Sequence, residues 1–241
     1  MSHTIVLIHG YGFDQREWLP VEIAFEGFQT IYFSLPGFAS EIPREPYTIA
    51  TLAKRYWDSI DAVAHPTVHL AGHSMGGYVC IEMAAQQPSR VASLALIHSH
   101  VFEDSAEKKS QRTVTMGNIK SNGRSALVNK MIPSLFADAH AFSPLVETLV
   151  LRGMSYDDLA WYYGAQAMRD RADHGQTLSN LNVPVLMIAG NKDGAVPPEV
   201  IYQQSHLPAQ NTLHVYDETG HMGMYENTAQ MICDLISFYK S

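Results

Sequence analysis

The chain has 241 residues, 46 % hydrophobic and 17 % charged, enough for one domain with a full core and a modest insertion. Asp and Glu outnumber Lys and Arg by 24 to 16, giving a net charge of −8, and no basic stripe forms, so nucleic acid is not expected as a partner. The opening MSHTIVLIHG has a short apolar run but no basic leader or small-residue cleavage site; neither a signal peptide nor a membrane span is expected, and the expected location is the cytoplasm.

Taken in chain order, short apolar or β-branched runs recur as TIVLIH (4–9), TIYFSL (30–35), VHLAG (68–72), SLALIH (93–98), PVLMIAG (184–190) and TLHVYD (212–217). They are near-continuously apolar, as strands covered on both faces should be. Helix-like stretches alternate with them at 47–64, 76–88 and 227–240. The alternation predicts an α/β fold: a six-stranded, mostly or wholly parallel sheet with helices on both faces, joined by right-handed crossovers. Cys80 and Cys233 sit in apolar helical contexts and are expected to be buried thiols, without metal-ligand spacing around either.

The alternation breaks once, between SLALIH and PVLMIAG. Helix signals there include Ser143 and Pro144 opening a run that stops before Gly153, and Ser155 with Asp158 opening YDDLAWYYG. The expected organisation is a core from 1–100 and 181–241 with a small helical cap from 101–180 lying over the site. Extra helices packed at one edge of the sheet are the alternative.

In such sheets the active site lies on loops beyond the carboxyl ends of the strands. There LAGHSMGGY (70–78) places Ser74 where a strand must turn sharply into a helix. Gly72 and Gly76 flank it where side chains would collide with neighbouring backbone, and Gly77 permits close helix packing. A serine needs a base in reach, itself held by an acid. His221, after the sixth run, and Asp193, after the fifth, supply both, in the order Ser, Asp, His. Glu103 and Asp104 after the fourth run are rival acids, while Asp217 and Glu218 are expected to orient the loop or face solvent. The turn after Ser74 offers the backbone N–H of Met75 as an oxyanion donor. His9 and His73 read as structural histidines, and His98 and His100 follow the fourth strand near the site. The 12 histidines form no helix pair or cysteine cluster of metal-ligand type, so no metal is expected.

The segments LIHGYG, GHSMGG, AGNKDGAVPPE and TGHMGMYEN resemble consecutive landmarks of the α/β-hydrolase superfamily, over the whole chain except the weakly patterned 101–180 stretch. That resemblance implies the α/β-hydrolase fold and a second oxyanion donor at the backbone N–H of Tyr11. Asp14 and Trp18 in HGYGFDQREW also resemble the opening of a narrower subgroup, the plant karrikin and strigolactone receptors and a bacterial stress regulator, but the elbow GHSMGGY departs towards the ordinary esterase type. Asp14 and Gln15 read as loop-fixing residues.

The implied reaction is acyl transfer to water through an acyl-enzyme on Ser74, with no cofactor. Serine at the elbow excludes dehalogenase and epoxide chemistry, because an alkyl ether on serine would not be released in that way. The expected partner is a small-to-medium carboxylic ester or related acyl compound; the sequence does not indicate the oligomeric state. Candidate pocket residues are Phe13, His98, Met116, Met131, Phe136, Trp161 and Met222, with the cap's own core as the alternative place for its apolar members. A slowly turning ligand sensor and a cofactor-free lyase or perhydrolase using the same triad are the alternative functions.

Overall fold

In chain order the computed structural model, which describes residues 4–63 and 65–240, contains β1 (Thr4–Ile8), a 3-10 segment (Gln15–Phe25), β2 (Gln29–Phe33), α1 (Ile49–Asp61), β3 (Val68–His73), α2 (Met75–Gln86), and β4 (Val91–Ile97). Then follow α3 (Ala106–Asn122), α4 (Ser125–Ser134), α5 (Ser143–Ser155), α6 (Asp158–Arg169) and α7 (Gly175–Asn180). The chain closes with β5 (Val185–Gly190), α8 (Pro198–Ser205), β6 (Asn211–Tyr216), α9 (Gly223–Glu226) and α10 (Thr228–Lys240). The first three residues of the opening run and position 64, the end of the 47–64 stretch, lie outside the described residues.

All six strands run parallel in the order β2-β1-β3-β4-β5-β6. β1, β3, β4 and β5 are buried at nearly every position, whereas the edge strands β2 and β6 are partly exposed. From β1 the chain steps outward to β2, then returns past β1 to β3 and continues in that direction. Right-handed crossovers in opposite directions fall on opposite faces. Accordingly the 3-10 segment packs with α10, while α1 packs with α2. The reversal leaves a crevice at the carboxyl ends of the central strands, the place where such sheets bind ligands.

Local chemistry sets the main helices. Thr48 and Thr51 form a reciprocal capping box at the start of α1, each hydroxyl accepting the other's backbone N–H at 3.0 Å. Ile49, Leu52, Ala53, Tyr56, Trp57 and Ile60 then fall on one buried face. Trp57 Nε1 donates to Met83 O at 3.0 Å and ties α1 to α2.

Three expectations are corrected. Cys80 is buried but Cys233 is exposed, on the outward side of α10. The helix opened by Ser143 and Pro144 runs through Gly153 rather than stopping there: a Cβ on Gly153 would lie 2.9 Å from Ile132 Cδ1 and 3.0 Å from Val128 Cγ1, so the glycine lets α4 and α5 approach. The cap of α6 is Asp157, which accepts Leu159 N–H at 2.8 Å, while Ser155 ends α5.

Candidate active site

Ser74 joins β3 to α2 with φ 51° and ψ −116°, a backbone state that costs a non-glycine residue about 1–3 kcal/mol. Its surroundings hold it there. Ser74 N donates to Ile97 O at 3.0 Å, and its carbonyl accepts Ser99 Oγ–H at 2.7 Å and Gly77 N–H at 3.0 Å. A Cβ on Gly72 would meet the Gly76 and Gly77 backbone at 2.4 Å, and one on Gly76 would meet Ile8 O at 2.1 Å. These two contacts are with backbone, which cannot turn aside. Gly77 instead makes room for the Ser99 side chain, 2.2 Å from where its Cβ would be.

Asp193, in the loop after β5, is buried. Its Oδ1 accepts the backbone N–H groups of Ala195 and Val196 at 2.9 and 2.8 Å, and its Oδ2 faces His221 Nδ1 at 2.7 Å and His98 Nδ1 at 3.2 Å. Burial by itself would raise this carboxyl's pKa; the two imidazoles outweigh it and hold the group well below the ordinary carboxylate range. With Nδ1–H of His221 given to Asp193, its Nε2 is left to accept a proton.

His98 is fully buried behind this carboxylate at φ 47°. Burial lowers its pKa to about 4, so the ring is neutral near pH 7 and donates from Nδ1; its Nε2 has no hydrogen-bond partner among the described residues. His98, Asp193 and His221 bring possible ligand atoms within 4.8 Å of one another. Both Nδ1 atoms lie at hydrogen-bond distance from one carboxylate oxygen, an arrangement that the two N–H groups already satisfy.

A buried ion pair, Glu17 with His73, lies nearby. Glu17 Oε1 is 2.9 Å from His73 Nδ1, and both side chains are wholly buried. Glu17 Oε2 accepts Gly10 N–H at 2.8 Å, and His73 Nε2–H donates to His221 O at 2.9 Å. For each group burial opposes ionisation, yet the partner prevails: His73 holds Glu17 below the ordinary carboxylate value, and Glu17 holds His73 above the ordinary imidazole value. The pair therefore links the loop after β1 to the loop carrying His221. His9 fixes the former loop too: Leu35 N–H donates to its Nε2 at 3.0 Å, so Nδ1 carries the proton and donates to Gly10 O at 2.9 Å. Tyr11 follows in that loop, and Met75 opens α2, where backbone N–H groups lack intrahelical acceptors.

Ser74 and His221 line one cavity of about 180 Å³. The strand-end loops and α2 also contribute Tyr11, Phe13, Tyr78, His100, Ala195 and Val196. The segment after β4 contributes Asp104, Lys108, Arg112, Met131, Leu135 and Met168. Of the pocket residues expected from the sequence, Phe13 and Met131 are among these walls. The others lie elsewhere: His98 is spent on Asp193, and Trp161 packs edge-on to Tyr11 and Phe38 while its Nε1 donates to Gly153 O. Phe136 packs on Phe142, Met116 Sδ lies 3.7 Å from Arg169 Nη1, and Met222 is wholly buried.

The rival acids are also accounted for. Asp104 is bonded to Arg112 and Arg171, and Glu103 to Lys109 at 2.5 Å; Glu218, expected to orient the loop or face solvent, is bonded to Lys192. Asp14 caps the 3-10 segment through Arg16 N–H at 2.9 Å and accepts Tyr156 O–H at 2.5 Å; Trp18 is wholly buried and Gln15 exposed. Sequence reading did not single out Glu17, nor Glu226, whose carboxylate accepts the backbone N–H groups of Ala137 at 2.7 Å and of Gly220 and Met222 at 3.1 Å. Glu226 thus clamps the His221 loop to the end of the α4 segment.

Fold and loop geometry together define the class: residues 3–228 match the family model for the alpha/beta hydrolase fold, and the chain belongs to that family. Among its relatives is the dihydrolipoyllysine-residue acetyltransferase component of an acetoin cleaving system from Cupriavidus necator, 28 % identical over 233 residues that cover 93 % of this chain and 60 % of the relative. The chain thus spans less than two thirds of that relative's length. Lipase 3 of a Moraxella species is 22 % identical over 255 residues, covering 98 % of this chain and 77 % of the lipase. A thermophilic esterase from Thermogutta terrifontis has the same fold, with a TM-score of 0.92 at 23 % identity over 100 % of this chain and 90 % of the esterase. No described helix is long and apolar enough to cross a membrane.

Proposed function

We propose that the protein is a serine hydrolase that cleaves small carboxylic esters or related acyl compounds through an acyl-enzyme on Ser74. His221 takes the serine proton and later gives it to the leaving group, and Asp193 holds the imidazole in the tautomer that leaves Nε2 free. The backbone N–H groups of Met75 and Tyr11 stabilise the oxyanion, each worth on the order of a hundredfold in rate. Helices α3 to α7 form a cap over the strand-end loops, with the core built from the remainder. The observation that carries this reading is the meeting of Ser74, at its left-handed turn, with His221, bonded to a buried Asp193 at 2.7 Å, on a single cavity. The lipase and esterase activities named for relatives in the same family agree with it.

At about 180 Å³ the cavity is smaller than the roughly 300–1,000 Å³ of sites that hold drug-sized ligands, which favours short acyl chains. Hydrolysis of p-nitrophenyl acetate, butyrate and octanoate tests the reading. Wild type should turn over the acetate and butyrate many times and the octanoate slowly, and Ser74→Ala should lose several orders of magnitude in kcat on each. Equal rates in the two proteins would refute the assignment of Ser74.

A further inference from the structure

One wall of the cavity carries more positive charge than its neighbours neutralise. Lys108 and Arg112, four residues apart on α3, both line it, as does Asp104 just before that helix. Asp104 is already committed: one carboxylate oxygen accepts Arg112 Nε–H, the other accepts Arg171 Nη1–H at 2.7 Å, and the Asp104 and Arg171 side chains are each only 3 % exposed. Two guanidinium groups thus share a single carboxylate. Lys108 adds a third cation, and no carboxylate lies within 4.0 Å of its Nζ among the described residues. The acid next along the chain, Glu103, is taken by Lys109, and Glu107 accepts Gln111 Nε2–H at 3.2 Å.

His100 also lines this cavity. Arg171 Nη2–H points at His100 Nε2 at 3.4 Å, so the ring proton belongs on Nδ1, which is buried without a hydrogen-bond partner among the described residues. Burial first, then Arg171, pushes this imidazole down to about 3, so it stays neutral; burial and Arg112 likewise hold the Lys108 ammonium below its ordinary value. Burial is the larger cause of both shifts; on Lys108 the Asp104 and Asp193 carboxylates oppose Arg112 and Arg171. The positive surplus on this wall is local, because the chain as a whole carries a net charge of −8 and would not attract anions by its overall field.

We infer that this wall is a subsite for an anionic group, so that the preferred substrate is an ester carrying a carboxylate a few atoms from the scissile bond, such as the monoester of a short dicarboxylic acid. The inference rests on the serine-hydrolase reading for the chemistry but not for the binding. Lys108, exposed at the rim of the cavity, meets the anion first, and Arg112, held in place by Asp104, backs it. A planar guanidinium and an ammonium suit a carboxylate, and a net positive wall disfavours a second cation in the ligand.

Two measurements separate the subsite from the reaction. Titration calorimetry of Ser74→Ala with glutarate at low salt reads the anion site alone. Glutarate should bind, with affinity weakening as salt is raised, and Lys108→Glu should abolish detectable binding. Absence of binding to the Ser74→Ala protein would overturn the inference whatever the enzyme does with esters. In the wild type, kcat/KM for monomethyl glutarate should exceed that for methyl pentanoate by about tenfold or more, and Lys108→Gln should bring the ratio of the two towards one. A ratio of one or below in the wild type, or a ratio that Lys108→Gln leaves unchanged, would equally overturn it. If glutarate binds but neither these methyl esters nor the p-nitrophenyl esters are cleaved, the hydrolase reading fails and the anion subsite stands.

Discussion

Glu17→Gln keeps the shape of a wholly buried side chain and removes its charge. The carboxylate lies 2.9 Å from His73 Nδ1 and accepts Gly10 N–H at 2.8 Å, and neither partner is exposed to water. Breaking a buried pair by neutralising one partner costs about 3–5 kcal/mol, because the other charge is left without compensation. For a chain of this length each kcal/mol moves the melting temperature by about 2–4 °C, so Tm should fall by roughly 6–20 °C. The effect has a pH signature. Glu17 has a lowered folded pKa, so its contribution is whole above its ordinary value of 4.5 and is lost as pH falls through the lower folded value. His73 has a raised folded pKa, so its contribution is whole below its ordinary value of 6.5 and is lost as pH rises through the higher folded value. The difference in Tm between wild type and Glu17→Gln should therefore be greatest between about pH 4.5 and 6.5 and shrink on either side. Circular-dichroism melts at pH 4, 5.5 and 9 measure it. A loss below about 2 °C at all three, or an equal loss at all three, would refute the ion-pair account.

Two further outcomes follow from the same contacts. Glu226→Ala removes the acceptor shared by Ala137, Gly220 and Met222 N–H, so the His221 loop loses its anchor; kcat on p-nitrophenyl butyrate should drop at least about tenfold while the protein remains folded by circular dichroism. With a thiol reagent at pH 8, the exposed Cys233 should react promptly in native protein, whereas Cys80, whose burial pushes its thiol pKa up, should react only after denaturant is added.

The sheet was legible because its strands announce themselves: IVLI, LALI and VLMIA are apolar at successive positions, and only burial on both faces accommodates that. The elbow was legible for a similar reason, since Gly72 and Gly76 stand where any Cβ would strike backbone. The helices between β4 and β5 were harder to read. On α3 only Met116 and Ile119 are buried among many polar residues, so no apolar stripe marks it. Gly153 looked like a stop but serves close packing, a distinction that depends on a neighbouring helix.

Expectations that rested on residue type alone diverge from the lining of this cavity. Met116, Trp161 and Phe136 are apolar and belong to the right segment, but they fill the space between its helices and sheet loops. Residues that do line the cavity, Lys108 and Arg112, carry an i,i+4 spacing that in sequence is indistinguishable from a solvated helix face. Glu17 gave no signal at all: its partners are His73, at the end of β3, and Gly10, in the loop after β1. His98 was noticed as near the site, but its partner is the carboxylate of Asp193, 95 positions further along the chain.

The most direct test of the central claim is to quench the reaction with p-nitrophenyl acetate in acid within its first turnovers and locate any acyl group by peptide mass spectrometry. The account predicts one acetyl group on the peptide containing Ser74, absent from Ser74→Ala and lost as turnover is allowed to finish. Acetylation at another residue, or ester cleavage that continues unchanged in Ser74→Ala, would contradict it.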